Sequence, residues 1–248
     1  MLQVDLAVIG GSGVYRVDML KNVEDVDVET QYGQVNFLIG DCKDRKVAFL
    51  ARHGKDHSVA PHMINYRANI QAIKNLNAKK IIATAAVGSL NKDMAPMDFV
   101  LLDQFLDFTK TRKSTFHEDG SQGVVHVDVT EPYCSEMRSF LYNKAKSLGI
   151  RVHNGGCYVC TEGPRFETPA EIKMFKQFGG DLVGMTSVPE VVLAREAGLP
   201  YVTVAMVTNY AAGISPTILS HREVLECMKM LSGNISSLIM EAIGEIQL

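Results

Sequence analysis

Residues 80–89 read Lys-Ile-Ile-Ala-Thr-Ala-Ala-Val-Gly-Ser, and the middle of this run is almost continuously apolar. A short run of this kind is typical of a β-strand that helices cover on both faces of a sheet. The run ends in small residues, which let a ligand approach the backbone closely, although tight packing of a helix explains them equally well. The stretch therefore predicts a central strand of an α/β sheet whose end is a candidate ligand site.

Comparable apolar runs recur along the chain and alternate with helical patterns. The predicted strands cover residues 6–9, 35–39, 47–50, 80–87, 99–102, 152–159, 182–183 and 201–207. The predicted helices cover residues 65–76, 135–148 and 189–197, and others begin after Thr168 and Ser220. This alternation predicts an α/β fold with a mainly parallel or mixed sheet, in one domain that spans residues 1–248.

Three helix starts carry the S/T-x-x-E pattern of a capping box, in which a hydroxyl and a carboxylate satisfy the first N–H groups of a helix. The pairs are Thr168 with Glu171, Ser187 with Glu190, and Ser220 with Glu223. We therefore assign these three glutamates to helix capping rather than to chemistry.

The overall composition argues against several classes of protein. The 248 residues include 28 acidic and 25 basic ones, so the net charge of −3 gives no electrostatic reason to expect a nucleic acid or an anionic membrane as partner. No stretch approaches about 18 consecutive apolar residues, and the N-terminus lacks the basic segment of a signal peptide. The five cysteines are scattered, and Cys157 and Cys160 would lie on opposite faces of a strand. We expect them to be structural thiols in a reducing cytoplasm.

Small, hydroxyl-bearing and basic residues follow several predicted strands, which is where α/β sheets bind ligands. Residues 10–13 read Gly-Gly-Ser-Gly, a loop that suits an anion or a plain tight turn, since it lacks the remaining features of a dinucleotide site or a P-loop. Arg52 and His53 suit a phosphate, or belong to a basic surface turn. Thr186 precedes a helix, whose N-terminal end attracts phosphate.

Other side chains suit a heterocyclic ligand. Phe166 offers an aromatic face and Glu167 a carboxylate, although a carboxylate just before a helix also favours the helix dipole. Asn209 follows the last predicted strand and either contacts a heterocycle or closes an Asx-turn. The chain has no G-x-S-x-G, H-E-x-x-H or paired C-x-x-C motif. The pattern indicates phosphate binding and chemistry by positioning rather than by covalent attack.

In their order along the chain, these segments resemble the trimeric purine nucleoside phosphorylases over essentially the whole sequence. The resemblance rests on Gly-Gly-Ser-Gly at 10–13, Arg52-His53, the strand end at 85–88, Gly-Pro-Arg-Phe-Glu at 163–167 and Val-Gly-Met-Thr-Ser-Val-Pro-Glu at 183–190. The run at 52–69 is most similar to the methylthioadenosine phosphorylase branch.

The resemblance implies a reaction and an architecture. The reaction is reversible phosphorolysis, in which inorganic phosphate attacks C1′ of a purine nucleoside and releases the free base and a sugar 1-phosphate. The architecture is a distorted central sheet flanked by helices, in a homotrimer or a dimer of trimers with active sites near the interfaces. The resemblance implies no metal and no cofactor, because phosphate is the co-substrate.

The resemblance also implies a role for each motif. Phosphate binding is implied for Ser12, Arg52, His53, Thr186 and the backbone of Ala85 and Ala86, although methylthioadenosine phosphorylases usually have threonine in place of Ala85. Contacts to the nucleoside are implied for Phe166, Glu167, Met185, Asn209, Tyr210, Ala211 and His221. Among these, His53, Glu167 and Asn209 are the implied catalytic groups, and Met185 is expected under the ribose.

Two departures within this family pattern favour a 6-oxopurine base. Adenine-selective members carry a small residue in place of Glu167, and aspartates after the last strand, where this chain has Asn209. A carboxylate accepts the N1–H of hypoxanthine and guanine, which adenine lacks, and an unpaired buried acceptor costs about 1–3 kcal/mol. We therefore expect phosphorolysis of inosine and guanosine, as in purine salvage.

His221 distinguishes alternatives at the 5′ end of the nucleoside. Methylthio-specific relatives have an apolar residue at this place, whereas in ordinary purine nucleoside phosphorylases a histidine meets the 5′-hydroxyl. The alternatives that stay open are a methylthioinosine phosphorylase, which shares the 6-oxopurine pocket, a methylthioadenosine phosphorylase, and a non-catalytic purine- or phosphate-binding protein.

Overall fold

The structure is a computed structural model that describes residues 3–11, 20–120, 123–214 and 218–248, so the predicted phosphate ligand Ser12 lies outside the described residues. The strands are β1 (Leu6–Gly10), β2 (Lys21–Thr30), β3 (Gly33–Cys42), β4 (Arg45–Ala51), β5 (Lys80–Ser89), β6 (Phe99–Leu101), β7 (Gln104–Phe108), β8 (Val152–Asn154), β9 (Cys157–Thr161), β10 (Leu182–Gly184) and β11 (Tyr201–Tyr210). The α-helices are α1 (Tyr66–Asn75), α2 (Ser135–Ser147), α3 (Pro169–Gln177), α4 (Ser187–Glu196) and α5 (His221–Glu245), and a 3₁₀ turn covers Pro61–Met63.

These strands form one mixed sheet that branches at β5. The main path runs β2-β3-β4-β1-β5-β10-β9-β7, and β11 pairs with the other edge of β5 and continues to β6 and β8. β1 runs parallel to β4 and β5, β11 runs parallel to β5, and β10 is antiparallel to β5. A register shift between Val207 and Asn209 bends the end of β11. The predicted mixed, distorted sheet with flanking helices is therefore confirmed.

Helices cover both faces of the sheet, as the apolar run at 80–89 predicts. Ile81, Ala83 and Ala85 of β5 belong to an apolar cluster that contains residues of α1 and α4, whereas Ile82 belongs to a second cluster with α2 and α5. Because successive side chains of a strand point to opposite faces, one strand serves both clusters. Within the described ranges, no helix is long and apolar enough to cross a membrane.

One of the three predicted capping boxes is complete, and a second is half formed. Thr168 and Glu171 make the complete capping box of α3, and the Ser220 side chain accepts a hydrogen bond from the backbone N–H of Glu223. The prediction for Glu190 was wrong. Thr186 holds the N-cap position of α4 without a side-chain cap bond, and Val188 leaves the helical conformation within the first turn.

The strand predictions differ from the structure at three places. The run predicted at 152–159 is two strands, because Gly155 takes a positive φ and the backbone N–H of Gly156 donates to Asp103. Neither β2 nor β7 was predicted. β2 is an edge strand whose residues are mostly exposed and polar, so its sequence lacks the apolar run on which the other predictions rest.

Candidate active site

A cavity of about 410 Å³ opens where the parallel strands β1, β4, β5 and β11 reach their carboxyl ends. Because these ends meet at one edge of the sheet, residues far apart in sequence come together there. All of the predicted site residues that the structure describes line this cavity, except Tyr210. They are Arg52, His53, Ala85, Ala86, Phe166, Glu167, Met185, Thr186, Asn209, Ala211 and His221.

The guanidinium of Arg52 is held by protein atoms on two sides. Its Nε and Nη2 donate to the two carboxylate oxygens of Glu190, each at 2.7 Å, and Nη1 donates to the backbone oxygen of Thr84 at 2.8 Å. Burial opposes the charge on Arg52, but the charge of Glu190 and the bonds to it raise the pKa of Arg52 above its usual value. These bonds leave one N–H on each terminal nitrogen for other partners.

Gly11 brings the loop after β1 against this arginine. Its backbone N–H donates to Oγ1 of Thr84 at 2.8 Å. A Cβ at Gly11 would lie 2.7 Å from the backbone oxygen of Thr84 and 3.0 Å from Nη1 of Arg52. Only glycine fits this approach, which places the start of the loop at 10–13 beside the guanidinium.

The structure changes the chemistry expected of His53. Its Nδ1 lies 2.9 Å from the backbone oxygen of Val59, and because a carbonyl oxygen can only accept, Nδ1 carries the proton. Burial lowers the pKa of His53 to about 4, so the ring is neutral near pH 7. Nε2 is then a hydrogen-bond acceptor, whereas the sequence suggested a further donor.

His57 is a cavity residue to which sequence reasoning gave no role. Its ring lies between those of His53 and His221, with centroid separations of 4.5 and 5.8 Å. Burial, and then the neighbouring His221, lower the pKa of His57. The spacing of His57 in the sequence does not reveal this position. The backbone N–H of His57 donates to the backbone oxygen of Gly54, and the resulting turn brings the ring of His57 back to that of His53.

Glu167 and Asn209 lie at the other end of the cavity. Glu167 is 8% exposed, its Oε1 accepts a bond from Oγ1 of Thr161 at 2.7 Å, and burial raises its pKa. Nδ2 of Asn209 donates to the backbone oxygen of Tyr210 at 2.9 Å, and Oδ1 accepts from Oγ1 of Thr208 at 2.8 Å. The Tyr210 carbonyl can only accept, so it fixes which way the amide points and leaves one N–H and one lone pair for a ligand.

Tyr210 itself does not form the cavity wall. Its hydroxyl donates to the backbone oxygen of Lys92 at 3.4 Å, away from the lining residues. Successive side chains of a strand point to opposite faces, so the Tyr210 side chain of β11 points away from the face that Asn209 presents to the cavity. The backbone oxygen of Tyr210 contacts Asn209, which does line the cavity, and contact of the Tyr210 side chain with substrate stays a prediction.

Phe166 and Met185 shape the cavity between its two ends. Phe166 is 38% exposed, so its ring stands at the mouth. A Cβ at Gly163 would lie 2.6 Å from Sδ of Met185, so glycine lets this thioether lie flat against the loop. Thr186 is buried at the start of α4, and its backbone N–H donates to the hydroxyl of Tyr158 at 3.1 Å.

A family model described as the phosphorylase superfamily matches residues 5–244. This chain belongs to the phosphorylase superfamily. It is 57% identical over 241 residues to a probable 6-oxopurine nucleoside phosphorylase of Moorella thermoacetica, which covers 97% of this chain and 93% of the relative. It is 53% identical to the 6-oxopurine nucleoside phosphorylase of Pyrococcus furiosus, over 96% of this chain and 91% of that one.

Solved structures agree with this family. The methylthioadenosine phosphorylase from Schistosoma mansoni in complex with adenine superposes on this phosphorylase with a TM-score of 0.92 at 36% identity, and the match covers 97% of this chain and 91% of that one. Among the described residues of the phosphorylase, no group of three or more His, Cys, Asp or Glu side chains is placed to hold a metal ion.

Proposed function

We propose that this phosphorylase cleaves 6-oxopurine nucleosides, inosine and guanosine, with inorganic phosphate to give the free base and ribose 1-phosphate. The observation that carries the proposal is the buried carboxylate of Glu167, which lines the same cavity as Asn209. The names of the two relatives support this choice of base.

The base end of the cavity suits a purine with N1–H and O6. Thr161 occupies Oε1 of Glu167, and the carboxylate has further lone pairs to accept N1–H of hypoxanthine or guanine. The remaining N–H of Asn209 can donate to O6 or N7. Adenine has no hydrogen on N1, so it would leave a buried carboxylate facing a second acceptor, which costs about 1–3 kcal/mol.

The other end of the cavity suits inorganic phosphate. The two remaining N–H groups of Arg52 can meet two phosphate oxygens, and Thr186 lines the same cavity with a hydroxyl that can donate to a third. Nε2 of neutral His53 can accept the P–OH hydrogen that phosphate carries near pH 7. Ser12 is the further phosphate ligand that the resemblance implies.

In the proposed mechanism, these groups act by positioning and electrostatics. A phosphate oxygen forms a bond to C1′ while the C1′–N9 bond breaks and its electron pair passes to the purine. The negative phosphate stabilises the positive charge that develops on the ribose. Asn209 and Glu167 stabilise the departing base at O6 or N7 and at N1–H, a contribution typically worth about 10²–10⁴-fold in rate.

A methylthio nucleoside is the second candidate substrate. Leu219 and Val224 line the cavity together with His221, so an apolar surface is available beside the imidazole. A methylthio group would bury against the two aliphatic side chains, whereas a 5′-hydroxyl would bond to His221. Glu167 disfavours methylthioadenosine but not methylthioinosine.

The test is phosphate-dependent release of base from inosine, guanosine, adenosine and 5′-methylthioinosine, measured in parallel. We expect inosine and guanosine to be cleaved and adenosine to be inert. If only the methylthio compound is cleaved, the assignment of a 6-oxopurine pocket stands, whereas the proposed contact of His221 with the 5′-hydroxyl is wrong. Binding of phosphate and purine without any turnover would favour a non-catalytic binding protein.

Assembly and location are further parts of the proposal. We infer a homotrimer or a dimer of trimers, supported by the resemblance to trimeric relatives, and light scattering after size-exclusion chromatography measures the mass directly. The free thiols of all five cysteines are compatible with a reducing cytoplasm. We expect activity to survive exhaustive treatment with a metal chelator, because no step requires a metal or cofactor.

A further inference from the structure

We propose that Glu190 is a positioning residue for phosphate: it fixes the orientation of Arg52 and cancels its charge, so that phosphate enters a subsite held by directed hydrogen bonds rather than by net positive charge. This inference rests on the proposed function. It gives a task to a carboxylate that the sequence pattern assigned to helix capping.

Glu190 is fully buried and binds three donors. Oε2 accepts from Nε of Arg52, and Oε1 accepts from Nη2 of Arg52 and from the hydroxyl of Tyr201, all at 2.7 Å. Thr203 in turn donates to the Tyr201 hydroxyl at 3.2 Å. A carboxylate bound by three donors cannot rotate without breaking bonds, so the plane of the guanidinium is fixed with it.

The same bonds determine which part of Arg52 faces the cavity. Glu190 takes one side of the guanidinium, and the backbone oxygen of Thr84 takes one hydrogen of Nη1. One N–H remains on each terminal nitrogen, an arrangement that suits two oxygens of a single phosphate. Glu190 does not line the cavity, so it acts on phosphate only through Arg52.

Among the described residues, the charge of Arg52 at this end of the cavity is paired before phosphate arrives. The positive charge of Arg52 faces the negative charge of Glu190. His53 and His57 line this end of the cavity beside His221, and burial favours the neutral forms of His53 and His57. Phosphate affinity then depends on the placement of individual N–H and O–H groups, and it should respond weakly to ionic strength.

The helix does not need the carboxylate as a cap. Glu190 stands in an S-x-x-E pattern, yet no side-chain cap bond forms at the start of α4, and Val188 has φ −115° and ψ 131°. In α3 the comparable Glu171 does bond to the N-cap backbone. The contrast indicates that the carboxylate of Glu190 is placed to bind Arg52 rather than to cap α4.

The experiment measures KM for phosphate and KM for inosine separately in Glu190→Gln. Glutamine keeps the length of the side chain but replaces one carboxylate oxygen by an N–H₂ group. This group faces a donor of Arg52, either Nε or Nη2, so one of the two hydrogen bonds to the guanidinium becomes a repulsive contact. We expect KM for phosphate to rise by about tenfold or more and KM for inosine to change by less than about twofold. Tyr201→Phe removes one of the three donors and should raise KM for phosphate by a smaller factor.

Salt dependence separates positioning from general damage. In the wild type, KM for phosphate should change by less than about twofold between roughly 50 and 300 mM KCl, whereas Glu190→Gln leaves the arginine charge uncompensated and should show a steeper dependence.

The matched control is Asp98→Asn. Asp98 is another buried carboxylate, bound to Arg151 and His153 outside the cavity, and its replacement should lower the melting temperature without altering either KM or the salt response.

Several results would overturn the proposal. One is an unchanged KM for phosphate in a folded Glu190→Gln enzyme, and another is a salt response equal to that of the wild type. If Glu190→Gln does not fold, an unchanged phosphate KM in Tyr201→Phe has the same meaning. If the wild type cleaves no nucleoside, the proposed function fails independently of the role of Glu190. Calorimetric titration with inorganic phosphate then tests that role, and equal phosphate affinities of the wild type and Glu190→Gln would refute it.

Discussion

At the proposed phosphate end of the cavity, Arg52 donates three hydrogen bonds to protein atoms, whereas at the proposed base end the Glu167 side chain accepts one, from Thr161. Arg52 and its partner Glu190 lie within the core, while Phe166 beside Glu167 is partly exposed. Arg52, which directly follows β4, is thus held by a carboxylate of α4 and a backbone oxygen of β5. Glu167 and Asn209, which would select the base, are buried as well, but their side-chain hydrogen bonds go to residues nearby in sequence.

The largest expected effect comes from removing Arg52. Arg52→Met should lower kcat/KM by about 10²–10³-fold, because a directed donor to the reacting phosphate is lost. It should also destabilise the fold by about 3–5 kcal/mol, because Glu190 is left buried without its charge partner. Phosphorolysis assays and urea unfolding measure the two effects.

A double variant separates those two effects. Arg52→Met with Glu190→Met replaces the buried pair by apolar side chains, which is often neutral for stability. We expect stability to recover and activity to stay low. Activity that recovered together with stability would mean that Arg52 serves the fold and not phosphate.

The base end should accept a change of specificity with less damage. Glu167→Ser together with Asn209→Asp removes the acceptor for N1–H and supplies a carboxylate for the adenine amino group and N7. Because each unpaired buried group costs about 1–3 kcal/mol, the preference for inosine over adenosine should fall by about 10²-fold or more. Ratios of kcat/KM for the two nucleosides measure this, and unchanged inosine turnover would place both residues outside the base pocket.

The phosphate end should also respond to acid. Burial lowers the pKa of His53 from 6.5 to about 4, so the unfolded chain takes up a proton before the folded one does. Neutral His53 therefore makes a contribution to the free energy of unfolding that is fully present above about pH 6.5. This contribution is lost as the pH falls toward 4, by roughly 3 kcal/mol in total.

Urea unfolding from pH 7 to 4 measures this loss. His53→Gln should flatten the dependence more than His57→Gln does, since His53 is the more deeply buried ring. An identical pH dependence in the wild type and His53→Gln would contradict a neutral, buried His53.

The smallest expected effect is at Tyr210. Tyr210→Phe removes a hydroxyl whose bond, to the backbone oxygen of Lys92, lies outside the cavity, and it keeps the carbonyl that orients Asn209. We expect kcat/KM for inosine to change by less than about twofold. A loss of tenfold or more would bring the Tyr210 side chain back to the substrate, as the resemblance implied.

The fold could be predicted where the sequence pattern reflects burial. The apolar runs of β1, β4, β5 and β11 marked the central strands, because both faces of these strands are covered by helices. β2 was missed for the opposite reason, since an exposed edge strand needs no apolar pattern. The split between β8 and β9 depends on a bond from Gly156 to Asp103, a residue about 50 positions away in sequence.

The candidate site could be predicted where one residue type suits one chemical task. Gly11 beside a strand end, an Arg-His pair, and the Glu167 and Asn209 side chains were identified from sequence, and they meet in one cavity. His57 was not given a role, because nothing in its spacing shows that its ring lies between two other histidines.

Local periodicity and side-chain chemistry were enough to predict the α/β class, the central strands and the chemical types of the groups at their ends. What those groups can do depends on the partners that folding brings to them. Glu171 and Glu190 stand in the same local pattern, yet Glu171 completes a helix cap whereas Glu190 meets an arginine 138 positions away. The proton of His53 and the direction of the Asn209 amide are likewise set by backbone carbonyls, because a hydrogen-bond acceptor brought close by folding dictates where a donor must point.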